Sequence, residues 1–175
     1  VFNILQFPNF SYGATMTASA FIAYFLVASK GWGLFPTLVC SATAGALISI
    51  IGEYVGFRRI LKNHSPSTYF FVSSITLGTL YEGIVTLKAG TNFYVYPNFF
   101  KESSVDILGA VVSKENIIML VISVAALVVL ALIIQKTSIG RAIRAVSFDR
   151  DTAQLMGINA TLIIQVVFVI SGIFG

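Results

Sequence analysis

The chain has 175 residues, of which 57% are hydrophobic and 10% are charged. Because roughly a quarter of the residues in a soluble domain are charged, this composition excludes that class and indicates a membrane protein. The net charge of +4 comes from 11 basic residues scattered through an apolar chain, which is typical of topology signals and not of a nucleic-acid-binding surface. The single cysteine, Cys40, excludes an intrachain disulfide and a cysteine metal cluster.

Several apolar runs approach the length of about 20 residues that a helix needs to cross a bilayer. We predict one transmembrane domain over 1–175, incomplete at both ends, with spans at about 13–29, 36–57, 67–87 and 116–135 and a truncated span at 162–175. The last run would rise only about 21 Å as a helix, short of the bilayer core. The predicted fold class is therefore all-α, a polytopic transmembrane helical bundle.

Basic residues in the short connections indicate the orientation of these spans. Successive connections between spans lie on alternate sides of the membrane, so the second and fourth connections share a side. Seven of the basic residues lie in these two connections: Arg58, Arg59, Lys62, Lys136, Arg141, Arg144 and Arg150. By the positive-inside rule that side is the cytoplasm. On the other side, "VDILGAVVS" predicts a short outer β-hairpin that turns at Gly109. Aromatic residues there predict a collar at the membrane interface, namely Trp32, Phe93, Tyr94, Tyr96 and Phe99.

The second predicted span carries small residues at four-residue spacing, at Ser41, Gly45 and Ser49. Such a ridge predicts close contact with another helix, but it does not distinguish a channel, a transporter or a scaffold. Glu53 lies one turn from Arg58 and Arg59, and we expect it to pair with them at the interface.

A charged stretch, "KTSIGRAIRAVSFDRDTAQLMGINATL", lies between two apolar runs. We predict two short helices, the first capped by Ser138 and the second by Asp149, with Gly157 at the end of the second helix. The residues alone leave three interpretations open. The stretch could be a polar loop that holds topology, a membrane-surface anchor, or a docking element for a cytoplasmic partner.

The same stretch carries a family resemblance. "TSIGRAIRAVSFDRDTAQLMGIN" resembles the "GRAxRA...D...A...GI" segment of the permease subunits of bacterial branched-chain amino acid ABC importers. "NFSYGATMTASAF" at 9–21 is similar to an early stretch of that family, and "VDILGAVVS" to its outer hairpin. The resemblance implies a cytoplasmic coupling helix at 138–157 that docks on an ATP-binding subunit. The implied coupling residues are Gly140, Arg141, Arg144, Ala145, Asp149, Ala153 and Gly157.

The resemblance also implies a translocation path near the early motif. Asn9 and Gly13 match the motif, whereas Tyr12 stands where the family usually has a histidine. Glu82 lies well inside an apolar span, where a charge costs about 2.5 to 3.5 kcal/mol on insertion scales. We assign Asn9, Tyr12, Gly13 and Glu82 to the candidate path, with pairing of Glu82 to Lys88 or to the interface as the alternative.

We therefore expect a multi-pass permease subunit in the plasma membrane of a prokaryote, serving an ABC importer for branched-chain or related amino acids. The implied partners are ATP-binding cassette subunits, a second permease subunit, an external substrate-binding protein and the lipid bilayer. ATP would be bound by the partner subunits, so we expect no cofactor, no metal and no enzymatic activity in this chain. The alternatives are a self-contained channel or secondary carrier that uses Glu82, a membrane scaffold, or an importer of the same family for amides, urea or sugars.

Overall fold

The computed structural model describes residues 9–31, 33–63, 66–90, 92, 94, 104–107 and 110–174. This part of the chain is predominantly helical. In chain order its elements are α1 (Ser11–Lys30), α2 (Leu34–Gly52), a one-turn π-helix that we call the π turn (Glu53–Phe57), α3 (Arg58–Lys62), α4 (Ser67–Ala89), β1 (Ser104–Ile107), β2 (Ala110–Ser113), α5 (Lys114–Lys136), α6 (Ser138–Phe148), α7 (Arg150–Leu155) and α8 (Ala160–Ile173).

Four helical stretches are long and apolar enough to cross a membrane, at Ser11–Ala28, Leu34–Leu61, Thr68–Ala89 and Asn116–Lys136. They correspond to the first four predicted spans, and the fifth predicted span is the shorter helix α8. The second stretch runs beyond its predicted end at residue 57, because α2, the π turn and α3 form one continuous helix. Leu61 is buried in the core, which explains why the helix continues through "RRILK".

Strands β1 and β2 pair in antiparallel register, with Ser104 opposite Ser113 and Ile107 opposite Ala110. The predicted turn at Gly109 lies outside the described residues, as do Trp32, Phe93, Tyr96 and Phe99 of the predicted collar. Tyr94 is described, and its hydroxyl donates a hydrogen bond to the carbonyl oxygen of Ala89. The ring of Tyr94 packs edge-on against Phe21 and Tyr24 of α1.

The tightest helix crossing joins α2 to α8 at two glycines. A side-chain carbon on either Gly45 or Gly172 would overlap the backbone oxygen of the other residue. The α2–α8 pair is also the most extensive helix contact in the described bundle, followed by α1 with α4 and α1 with α2. The small-residue ridge predicted on the second span therefore packs closely against another helix, which is α8.

Glu53 faces the bundle interior and is fully buried. Its Oε2 accepts a hydrogen bond from Gln165 Nε2 of α8 at 3.3 Å, whereas the Arg58 guanidinium lies over the ring of Tyr54, 4.9 Å from its centroid. The hydrogen-bond partner of Glu53 is thus Gln165, and of the arginine pair that we expected Arg58 acts on it through its charge only, without direct contact. Glu53 opens the π turn, which changes the helical phase, so the sequence spacing to Arg58 and Arg59 does not predict which residues share its face.

Candidate functional site

Helices α6 and α7 form a hairpin, which we call the charged segment (138–157). Thr137 caps α6, since its side-chain oxygen accepts from the backbone N–H of Gly140 at 3.0 Å; the predicted cap at Ser138 was wrong by one residue. Asp149 caps α7 as predicted, accepting from the N–H groups of Asp151 and Thr152 at 2.9 and 3.1 Å. Gly157 ends α7 with a φ of +84°, which is the left-handed conformation expected of a terminating glycine.

Three of the implied coupling residues hold the charged segment together. Ala153 is buried with Val146 and Ala160 between α6, α7 and α8, and Ala145 packs against this cluster. Gly140 is buried where α6 turns away from α5, and a side-chain carbon there would overlap the carbonyl oxygens at the end of α5. The small size of these residues therefore serves the internal packing of the segment.

Two arginines tie the charged segment to the ends of two membrane-length helices. Arg144 Nη1 donates to the carbonyl oxygen of Ile134 in the last turn of α5. Arg150 Nη2 donates to the carbonyl oxygen of Leu61 in the last turn of α3, at 3.2 Å. Both contacts place a cation at a helix C-terminus, where the partial negative charge of the exposed carbonyls favours it. Arg141 and Arg144 are both exposed on α6, and Arg150 is half-buried.

The charged segment also exposes three large apolar side chains. Phe148, Leu155 and Met156 are 94%, 88% and 80% exposed, and we call them the apolar tip. They lie at the ends of α6 and α7, and exposed large apolar side chains on a short polar segment are candidates for an interaction site. Sequence reasoning missed them, although the available signal was the presence of large apolar residues at the ends of two short helices, next to the capping positions.

The cap of α7 should make the charged segment sensitive to acid. Hydrogen bonds from the Thr152 hydroxyl and from the N–H groups of Thr152 and Asp151 lower the pKa of Asp149 below its ordinary value of 3.8. Since these groups bind the carboxylate form, the cap contributes stability above the ordinary pKa and loses it as the pH falls through the lowered pKa. We expect Asp149→Ala to speed amide hydrogen exchange in α7 at neutral pH, and wild-type exchange, corrected for its intrinsic pH dependence, to approach that of the variant in acid. Equal exchange of the two proteins at neutral pH would contradict the assignment.

The other candidate region is a polar layer inside the bundle, where α1 begins. Gly78, at the middle of α4, approaches the backbone of Phe10 and Ser11 closely, so the N-terminus of α1 lies beside the midpoint of a membrane-length helix. Asn9 Oδ1 accepts hydrogen bonds from the Ser11 N–H at 3.1 Å and from its hydroxyl at 2.7 Å. A helix that starts at this depth is a feature of transporter binding sites.

A small polar cavity of about 10 Å³, enough for roughly one water molecule, adjoins this helix start. Its polar lining is Asn9, Ser11, Tyr12, Thr15, Ser49, Tyr81 and Ser171. Tyr12 also lines a cleft of about 1540 Å³ that separates α5 from α2 and α8. Asn9 and Tyr12 thus share the small cavity, and Tyr12 borders the cleft as well. Gly13 is next to Tyr12 with open space beside it, and Glu82 is exposed on α4 and lines neither space.

Glu53 adds a buried carboxyl to the interior of the bundle. Its Oε1 is buried without a hydrogen-bond partner in the part of the chain that the structure describes. The π turn that carries it is held by α4, since the Ser73 hydroxyl donates to the carbonyl oxygen of Gly56 at 2.8 Å. π turns inside α-helices occur frequently at functional sites. Sequence reasoning missed this feature, because a carboxyl one turn before two arginines suggests an ion pair at the membrane interface.

Four helices that are long and apolar enough to cross a membrane are the pattern of a polytopic membrane protein. The chain matches the family model described as branched-chain amino acid transport system / permease component over residues 1–175. It therefore belongs to that family, as the resemblance implied.

Among curated proteins, the chain is 29% identical to the high-affinity branched-chain amino acid transport system permease protein BraD of Pseudomonas aeruginosa, over 97% of this chain and 59% of the relative. It is 24% identical to the permease protein LivH of Escherichia coli K12, over 97% of this chain and 58% of LivH. LivH of Salmonella typhimurium is 25% identical over the same shares. The chain thus spans about three-fifths of the length of these relatives. No solved structure matches it.

Proposed function

We propose that this chain is part of the permease subunit of an ABC importer for branched-chain or related amino acids in the plasma membrane of a prokaryote. Its family and the printed function of its relatives, high-affinity branched-chain amino acid transport, support the substrate class. The single structural observation that carries the proposal is the charged segment, whose apolar tip is exposed while its arginines hold two helix ends.

The path runs past the polar layer at the start of α1. An amino acid carries a carboxylate, which the partial positive charge of a helix N-terminus favours, and Asn9 and Ser11 offer further hydrogen bonds there. The neighbouring cleft is lined mainly by apolar groups that suit a branched aliphatic side chain, among them Leu38, Leu127 and Ile170. Tyr12, which borders both spaces, would act as the gate between them, and the adjacent Gly13 gives it room to move.

The charged segment couples this path to ATP-binding cassette subunits. The apolar tip provides the central contact and Arg141 an outer charged one, an arrangement common at protein interfaces. The Arg150–Leu61 contact brings the two basic connections to the same end of the bundle, and the positive-inside rule then makes that end cytoplasmic. An external substrate-binding protein would deliver its ligand at the opposite end, where β1 and β2 would form the outer hairpin.

A second permease subunit would cover the outward face of α4. Glu82 is exposed there together with Thr76, Thr79 and Thr86 along the same helix. A carboxyl facing lipid is costly, so a protein partner is the expected neighbour of this face and would bring Glu82 to the path. In contrast, the membrane-length part of α5 has no buried residue and is strongly apolar, as expected of a lipid-facing helix.

Recruitment of an ATP-binding subunit tests the proposal against a channel, a secondary carrier or a scaffold. The full-length permease should be co-expressed with the ATP-binding cassette subunits of its source organism and purified in mild detergent through a tag on the permease alone. We expect the ATP-binding subunits to co-purify in a fixed stoichiometry. Their absence from a stable, folded permease would sink the importer assignment and favour a carrier that works without ATP.

A further inference from the structure

The position of Arg150 is unfavourable for its own helix. It is the first residue of α7, where the helix dipole favours acidic groups such as the neighbouring Asp149 and Asp151. Its side chain instead reaches the C-terminal turn of α3, 89 residues away in the sequence, and donates to the Leu61 carbonyl oxygen at 3.2 Å. Its Nε is buried. The cation is therefore explained by a contact between α7 and α3 and not by the stability of α7.

A second polar contact joins the next helix, α8, to the same continuous helix at a different depth. Gln165 of α8 bonds to Glu53 in the π turn, eight residues or about 12 Å along the helix from Leu61. The buried apolar side chains of Phe57, Ile164 and Phe168 pack in one cluster beside the second contact. The Gln165–Glu53 bond, this apolar cluster and the Gly45–Gly172 crossing make α8 and the helix containing the π turn one mechanical unit.

The opposite side of the charged segment is attached to α5 through Arg144 and Gly140. The cleft of about 1540 Å³ lies between α5 and the unit formed by α2 and α8, and Arg144 and Ser147 of the charged segment line it as well. The segment therefore bridges the two walls of the cleft. A displacement of the segment relative to one wall must change the separation of the walls, provided that both attachments hold.

We propose that Arg150 is a positioning residue of the importer, which transmits displacement of the charged segment to the helix containing the π turn. The inference rests on the proposed coupling function. In this arrangement the apolar tip receives the movement of the ATP-binding subunit, and Arg150 and Arg144 pass it to opposite walls of the cleft. Loss of Arg150 removes the direct link from α7 to the end of α3, while the packing of Val146 and Ala153 against α8 and the docking surface stay intact.

Arg150→Met removes the cation and its hydrogen bond but keeps a long apolar side chain. In proteoliposomes with the full importer, we expect this variant to retain its ATP-binding subunits and to transport about tenfold less substrate per ATP hydrolysed. Arg150→Lys keeps a cation at the end of α3, so its amount of substrate transported per ATP hydrolysed should lie between those of Arg150→Met and the wild type. Arg59→Met is the matched control, because Arg59 is an exposed arginine of α3, and its transport per ATP should equal that of the wild type.

Spin labels at Asn63 and Gln154, both exposed, report the link directly. The distance distribution should stay narrow through the ATP cycle in the wild type and broaden in Arg150→Met. An unchanged transport ratio and an unchanged distribution in Arg150→Met would overturn the inference. So would loss of the ATP-binding subunit with a normal ratio in the remaining complexes, since Arg150 would then be a docking residue. A wild-type permease that recruits no ATP-binding subunit would instead refute the coupling function itself.

Discussion

Replacement of Gly172 by alanine is expected to lower the free energy of unfolding by about 3 kcal/mol, the upper part of the usual range for overpacking. The added carbon would overlap the Gly45 carbonyl oxygen and the Ser49 hydroxyl, and the first of these belongs to a rigid helix backbone. The α2–α8 crossing must then separate, which costs packing along the most extensive helix contact. Gly45→Ala should have an effect of similar size, because it meets the same crossing from the other side. Thermal and denaturant unfolding in detergent micelles measure both changes.

Gly83→Ala is the matched control for this prediction. Gly83 lies in α4, is exposed, and has no atom within 4 Å of the position of an added carbon. Alanine has the higher helix propensity, so this variant should be neutral or more stable by about 0.5 to 1 kcal/mol. Equal stabilities of Gly172→Ala and Gly83→Ala would show that α2 and α8 do not cross at these glycines.

Conversion of Leu155 and Met156 to aspartate should weaken binding of the ATP-binding subunit by about 100-fold or more. Both side chains are at least 80% exposed, so the change should leave the permease folded. Truncation of a central apolar contact costs roughly 2 kcal/mol, and every 1.4 kcal/mol is tenfold in affinity. Burying two carboxylates at the same place adds a desolvation cost. The measurement is a binding titration of the purified ATP-binding subunit onto permease in nanodiscs.

Gln154→Asp is the control for the added negative charge, because it places one carboxylate at an exposed polar position of α7. This variant should bind the ATP-binding subunit within about twofold of the wild type, since rim charges affect affinity little. The apolar tip would lose its assigned role if the double variant bound as tightly as Gln154→Asp.

Local signals explain why much of the charged segment could be predicted from the sequence. The caps at Asp149 and Gly157 depend on hydrogen bonds and backbone conformation within a few residues, so their positions follow from residue type and spacing. The first cap was predicted at Ser138 and lies at Thr137. Both side chains can accept the same kind of hydrogen bond, and helix ends are uncertain by one or two residues. Span positions were predictable for a similar reason, since each depends on one continuous apolar run.

Contacts between distant parts of the chain could not be predicted in this way. The Arg150–Leu61 and Glu53–Gln165 hydrogen bonds join residues 89 and 112 positions apart, and the π turn rotates Glu53 inward at a place where an unbroken helix was expected. The resemblance implied a coupling role for Gly140, and its close approach to the carbonyl oxygens at the end of α5 could not be predicted from the sequence. Side-chain exposure at the apolar tip depends on the packing of α6 and α7 against α8, which a single sequence does not specify.

ATP-driven uptake tests the central claim most directly. Proteoliposomes should contain the full-length permease with its ATP-binding subunits, ATP inside, and labelled leucine with the external binding protein outside. The account predicts uptake that requires both ATP and the binding protein, is competed by isoleucine and valine, and is lost when Leu155 and Met156 are both aspartate. Leucine uptake driven by an ion gradient without ATP, or full ATP-driven uptake by that double variant, would contradict it.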